Sequence, residues 1–159
     1  QQGEVKWLKY SECDFAYDHS RFQTSAEIIL QVEFLLNQEN RHISQNLVQK
    51  ATVYRAQTQP LGVPSSGCIF KNVANNDYLK QLFPQFKDKK FVPGGFLIDQ
   101  AGLKGTKVGN VQVSEKHAAF IVNPGGGTAT QIKELIALIK QSVNQKFKVV
   151  LKEEVFYLS

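Results

Sequence analysis

The chain has 159 residues, of which 42% are hydrophobic and 21% charged. That composition excludes disordered, collagen-like and coiled-coil classes and leaves room for one buried core, or a domain with part of a second. No apolar run approaches the roughly 18 residues of a spanning helix, so no membrane partner is expected. Nineteen Lys and Arg against 14 Asp and Glu give a net charge of +5, which favours anionic partners without choosing among them.

In chain order, residues 27–36 place Ile29, Gln31, Glu33 and Leu35 on one face and Ile28, Leu30, Val32, Phe34 and Leu36 on the other, which predicts a strand. After a polar turn at 37–42, Ser44 is placed to cap a helix carrying Leu47, Val48, Ala51 and Tyr54 and ending before Gln59-Pro60. Residues 60–67, with two prolines, two glycines and two serines, read as a shaped loop unable to sustain regular pairing. A short helix is expected over 78–83 and another over 95–101, closing at Gly102. Strands are expected over 106–113 and 118–123. Thr128 and Gln131 have capping-box spacing before the stripe Ile132, Leu135, Ile136, Ile139 and Val143, and a last strand is expected over 147–158. Strands and helices mix without regular βα alternation, so the fold class is α+β.

The domain boundary is expected near residue 40, dividing the chain into 1–40 and 41–159. The first piece has too little apolar surface for a core of its own and reads as the tail of a larger domain. Two cysteines, Cys13 and Cys68, and no cationic-then-apolar leader point to a reducing, cytoplasmic location. The absence of methionine and the opening Gln1-Gln2-Gly3 read as part of a longer translated protein.

Gly125-Gly126-Gly127 lies between a strand and a helix, where backbone amides can cradle phosphate, but its spacing matches no dinucleotide or P-loop pattern and favours a structural turn. His19, His42 and His117 are far apart with no ligand-like neighbours, so no metal site is expected. Arginine occurs only at 21, 41 and 55, without interleaved aromatics, which makes nucleic acid an unexpected partner. The informative stretch is Arg55-x-x-x-Gln-Pro-Leu-Gly-x-Pro-Ser-Ser-Gly-Cys-Ile-Phe-Lys-Asn72. A rigid Pro/Gly loop there delivers Cys68 beside a cation and an amide, which suits a proton donor near an anionic ligand; a lone cysteine is otherwise small buried filler.

This stretch resembles the substrate loop of the UDP-N-acetylenolpyruvoylglucosamine reductase (MurB) family of peptidoglycan synthesis. The resemblance continues through Phe96-Leu-Ile-Asp-Gln-Ala-Gly-Leu-Lys-Gly105, Val113-Ser-Glu-Lys-His-Ala118, Phe120-Ile-Val-Asn123 and Leu151-Lys-Glu-Glu-Val155, in family order. Upstream, Glu12-Cys-Asp-Phe-Ala-Tyr-Asp-His-Ser-Arg-Phe22 is similar to the end of the family's flavin domain. The resemblance implies a carboxy-terminal UDP-sugar-binding domain over 41–159, preceded over 1–40 by the tail of an FAD-binding domain.

In the full-length enzyme it implies reduction of FAD by NADPH and hydride transfer to the enolpyruvyl group of a UDP-sugar; the 159-residue chain by itself is expected to bind neither cofactor. Cys68 stands where the family usually has a serine and is implied to protonate the substrate. Glu154 is implied as the second catalytic group, with Glu153 on the opposite strand face. Lys71 and Asn72 are implied to hold the pyrophosphate or uridine end. The family's Tyr-Arg pair is Tyr17-Asp18 here, which leaves Arg21, three residues on, as the candidate replacement for the cation facing the substrate carboxylate. Smaller departures are Val73, where the family has proline, and Asn110, where it has glycine. A nucleotide-sugar binding module without catalysis is the alternative, which Asp18 favours, and a basic nucleic-acid binder is a third reading.

Overall fold

The computed structural model describes residues 3–158 and divides the chain into two compact units, Gln1–Asn40 and Arg41–Ser159.

The first unit holds two 3-10 turns, Tyr10–Glu12 and Arg21–Gln23. Cys13 is its buried side chain, and the thiol donates to the Lys9 carbonyl at 3.3 Å. Ala16 and His19 pair across the tight turn Tyr17-Asp18, where Asp18 takes the left-handed region at φ 52°, a conformation that short polar side chains tolerate. The strand expected over 27–36 is not formed. That segment has no regular element, and its apolar side chains face solvent, Leu35 fully so. A strand needs a neighbour to pair its amides and cover its apolar face, and no other strand is present among the described residues of this unit.

The second unit begins with helix α1, Arg41–Thr58, which starts before Ser44 and stops at Gln59-Pro60 as expected. Strand β1, Ser65–Cys68, comes next, a correction to the loop expected over 60–67. It pairs antiparallel with β6, Phe120–Val122, but the register shifts between Ser65↔Val122 and Cys68↔Phe120. Gly67, at φ 79°, supplies the left-handed residue that lets one extra residue fit, so a bulge rescues pairing in a Gly/Ser-rich segment.

Strands β2, Val73–Ala74, and β3, Phe91–Val92, form a small second sheet. Between them lies α2, Asp77–Leu82, capped by Asn76, whose Oδ1 accepts from the Leu79 amide at 2.9 Å. Helix α3, Gly94–Gln100, closes at Gly102 with φ 78°. The single strand expected over 106–113 is a hairpin of β4, Lys107–Val108, and β5, Val111–Val113, because Gly109-Asn110 forms a two-residue turn. The main sheet has the order β1-β6-β5-β4, antiparallel throughout.

Helix α4, Ala129–Phe147, is entered through a capping box in which Thr128 and Gln131 bond each other's backbone amides. It packs on α3, β4 and β5, burying Leu135, Ile136, Ile139, Val143 and Phe147. The Phe83 ring sits edge-on to Phe96 and Phe147 at 5.0 and 5.5 Å between centroids. The strand expected over 147–158 is corrected: the apolar stripe carries the helix through Phe147, and Lys148 ends it in the left-handed conformation at φ 55°. Beyond Lys148 the chain makes an isolated bridge, Glu153 to Phe70, in place of a continuous strand. The α+β class stands.

Candidate functional site

The bulged edge strand β1 and the chain after α4 make the site. Residues 69–71 are held on both sides: the Ile69 amide donates to the Ala119 carbonyl at 2.8 Å, and the Ile69 carbonyl accepts from the Glu154 amide at 2.8 Å. The Lys71 amide donates to the Lys152 carbonyl at 2.9 Å, which completes the attachment of 152–154 to this segment. The two ends of the unit are thereby fixed to each other beside Cys68.

Ser66, Cys68, Glu154, Val155, Phe156 and Leu158 line an open cleft of about 520 Å³. Cys68 is a free thiol, and burial and then the nearby Glu154 carboxylate push its pKa above the ordinary thiol value. At neutral pH the group is therefore a protonated donor rather than a nucleophile. The two residues expected to act together, Cys68 and Glu154, do share the cleft. Lys71 and Asn72 do not line it. Asn72 instead accepts from the Gly94 amide at 3.3 Å, holding the start of α3.

Glu153 faces away from Cys68, as strand alternation implies. Its carboxylate takes Lys140 Nζ of α4 at 2.7 Å and the Tyr157 hydroxyl, and these two donors, Lys140 first, hold its pKa below the ordinary carboxylate value. The same contact raises Tyr157 to about 12.

Tyr17 and Arg21 belong to the first unit. Tyr17 is half exposed on its tight turn. The Arg21 guanidinium is committed to Glu27 in two parallel bonds of 2.9 Å, with a third to the Glu12 carbonyl at 3.0 Å.

The glycine turn is structural. Asn123 Oδ1 accepts from the Gly125 and Gly127 amides at 3.2 and 3.0 Å, so these donors are already used. A Cβ at Gly127 would meet Val111 Cγ1 at 2.4 Å, which is why the third glycine is there. His117 is likewise local: its Nδ1 accepts from the Ala119 amide at 3.2 Å, and burial lowers its pKa. Among the described residues no cluster of His, Cys, Asp or Glu is arranged for a metal ion, and no helix is long and apolar enough to cross a membrane.

Sequence reasoning missed Ser66 and the apolar wall of Val155, Phe156 and Leu158. The signal for the wall was present, since Glu154, Phe156 and Leu158 recur at every second residue. Ser66 lay inside the segment taken for a loop.

The family profile described as UDP-N-acetylenolpyruvoylglucosamine reductase, C-terminal domain, matches residues 59–158. UDP-N-acetylenolpyruvoylglucosamine reductase 1 of Bacillus cereus (strain ZK / E33L) is 37% identical over 156 residues, covering 98% of this chain and 46% of the relative. The reductase of Listeria innocua is 42% identical over 161 residues, covering 98% and 47%. The chain spans about half the length of the curated relatives it matches. A crystal structure of the reductase from Thermus caldophilus is 32% identical, with a TM-score of 0.47 over 75% of this chain and 37% of that one. Matched over most of its length by that profile, the chain belongs to the UDP-N-acetylenolpyruvoylglucosamine reductase family and contains its carboxy-terminal domain.

Proposed function

We propose that the chain is the carboxy-terminal, substrate-binding part of a cytoplasmic reductase that converts UDP-N-acetylglucosamine enolpyruvate to UDP-N-acetylmuramate. The observation that carries this reading is the shared cleft of Cys68 and Glu154, with the thiol held protonated by burial and by the carboxylate. In this reading FAD, reduced by NADPH, supplies a hydride to the β carbon of the enolpyruvyl group. The residues of this chain do not fit a dinucleotide cradle at its glycine turn, where Asn123 occupies the amides, so the flavin is assigned to sequence beyond this chain. Residues 1–40 are then the tail of the FAD-binding domain, and their exposed alternating segment belongs against a sheet of that domain.

The part played by this chain is protonation and grip. As the β carbon gains hydride, the α carbon takes the proton from the Cys68 thiol, and the thiolate is reprotonated from solvent. Glu154 keeps that proton on sulfur until it is needed. Lys71 and Asn72, next along the same segment, meet the pyrophosphate or uridine end by charge and amide hydrogen bonds. Arg21 reaches a substrate carboxylate only if its pair with Glu27 opens. That commitment favours a second reading, a nucleotide-sugar binding module without catalysis. Binding of a UDP-sugar by the full-length protein with no substrate reduction separates the two.

Titration of the chain with UDP-N-acetylmuramate, followed by amide chemical shifts, tests the site. Perturbations should centre on Ser66, Cys68, Lys71 and Glu154; a response confined to 125–128 contradicts the assignment.

A further inference from the structure

Resting on the reading of Cys68 and Glu154 as one site, we propose that Lys140 and Tyr157 are positioning residues, which lock the 153–157 segment through Glu153 so that Glu154 faces Cys68. The segment alternates: Glu154, Phe156 and Leu158 line the cleft, while Glu153 and Tyr157 bond each other on the opposite side. Backbone pairing attaches 152–154 along one edge, through Lys71 to Lys152 and Glu154 to Ile69. Those bonds fix how far the segment lies from Cys68 but involve a single bridge, and one bridge resists rotation of the strand about its axis weakly. The Lys140–Glu153 contact of 2.7 Å supplies the missing restraint, because it ties the opposite face to α4, the best-buried helix of the unit. Tyr157 bonds the second oxygen of Glu153, so both carboxylate oxygens are held from separate elements. A side chain pulled outward on one face sets its sequence neighbour inward on the other.

The lock has a sign that direct electrostatics lacks. Losing the Lys140 cation, or leaving Glu153 without its partner, acts on Cys68 directly by making the thiolate harder to form. Releasing Glu154 from the cleft does the reverse, since its carboxylate is one of the two causes that raise the thiol. The midpoint of the pH dependence of Cys68 alkylation reads this in the 159-residue chain, followed on the Cys68 peptide by mass spectrometry so that Cys13 does not contribute. Greater exposure of the thiol scales the rate at every pH, whereas a change of charge moves the midpoint.

Glu154→Gln should move the midpoint down. Lys140→Met should move it in the same direction, Lys140→Arg should restore it, and Tyr157→Phe should give a smaller shift of the same sign. Adding Lys140→Met to Glu154→Gln should produce no further downward shift. Tyr157 is half exposed, so its variant keeps the test available where Lys140→Met unfolds the chain. If Glu154→Gln leaves the midpoint unchanged, the shared site itself is wrong. If Glu154→Gln moves it but Lys140→Met or Tyr157→Phe moves it upward or not at all, the site stands and the lock is overturned.

Discussion

Residues 28–36 and residues 132–143 carry comparable densities of large aliphatic side chains and meet opposite fates. In the first segment Ile28, Leu30, Phe34 and Leu36 are exposed and Leu35 is fully so, whereas in the second Leu135, Ile139 and Val143 have no exposed surface at all. The stripe on α4 has β4, β5 and α3 beneath it; the alternating segment has no strand beside it in its own unit. A hydrophobic period states which face needs covering, and only a partner determines whether an element forms. That difference explains why the second unit holds a site made of fixed backbone, while the first is read only through its local hydrogen bonds.

The largest effect that can break this comparison is a cavity in the covered region. Leu135→Ala removes a fully buried side chain and should cost about 2–5 kcal/mol in denaturant unfolding of the chain. A loss below about 1 kcal/mol would mean that α4 is not the centre of the core.

An intermediate effect comes from acid. The pKa of Glu153 is lowered by its bonds to Lys140 and Tyr157, so the stabilisation it contributes is present above the ordinary carboxylate value of 4.5 and is lost as pH falls through the lower folded value. Glu153→Gln should therefore melt below the parent at neutral pH and converge with it at acid pH, as thermal melts across that window will show. A constant gap at every pH would assign the effect to packing instead of charge.

The smallest expected effect is on the other side of the comparison. Leu35→Ala should change unfolding of this chain by less than about 0.5 kcal/mol, since there is no burial to lose. In the full-length protein the same substitution should become costly if the segment pairs with a sheet of the flavin domain. Equal, negligible effects in both contexts would end that assignment.

The parts legible in the sequence are those whose information is local. Thr128 and Gln131 announce the start of α4 because a cap is a contact between residues three apart, and Gly102 announces the end of α3 because few other residues accept its conformation. Cys68 and Glu154 were legible as candidates, but their common cleft depends on Ile69 accepting from the Glu154 amide across 85 positions of chain. The lock at Glu153 was hidden for the same reason: Lys140 reads as one more polar residue of α4 until the returning segment reaches it. Strand β1 was misread because a Gly/Ser run argues against pairing unless a bulge at Gly67 absorbs the extra residue. The strand expected over 27–36 was misread for the converse reason, an ideal alternation with no neighbour.

The central claim is that Cys68 is the proton donor of this cleft, and timing the two half-reactions of the full-length flavoprotein tests it most directly. Cys68→Ala should slow substrate reduction by about 10²-fold to 10⁴-fold while flavin reduction by NADPH is unchanged, and Cys68→Ser should retain much of the rate because a hydroxyl also carries a transferable proton. Substrate reduction near the parent rate in Cys68→Ala would contradict the account, whatever the ligand titration shows.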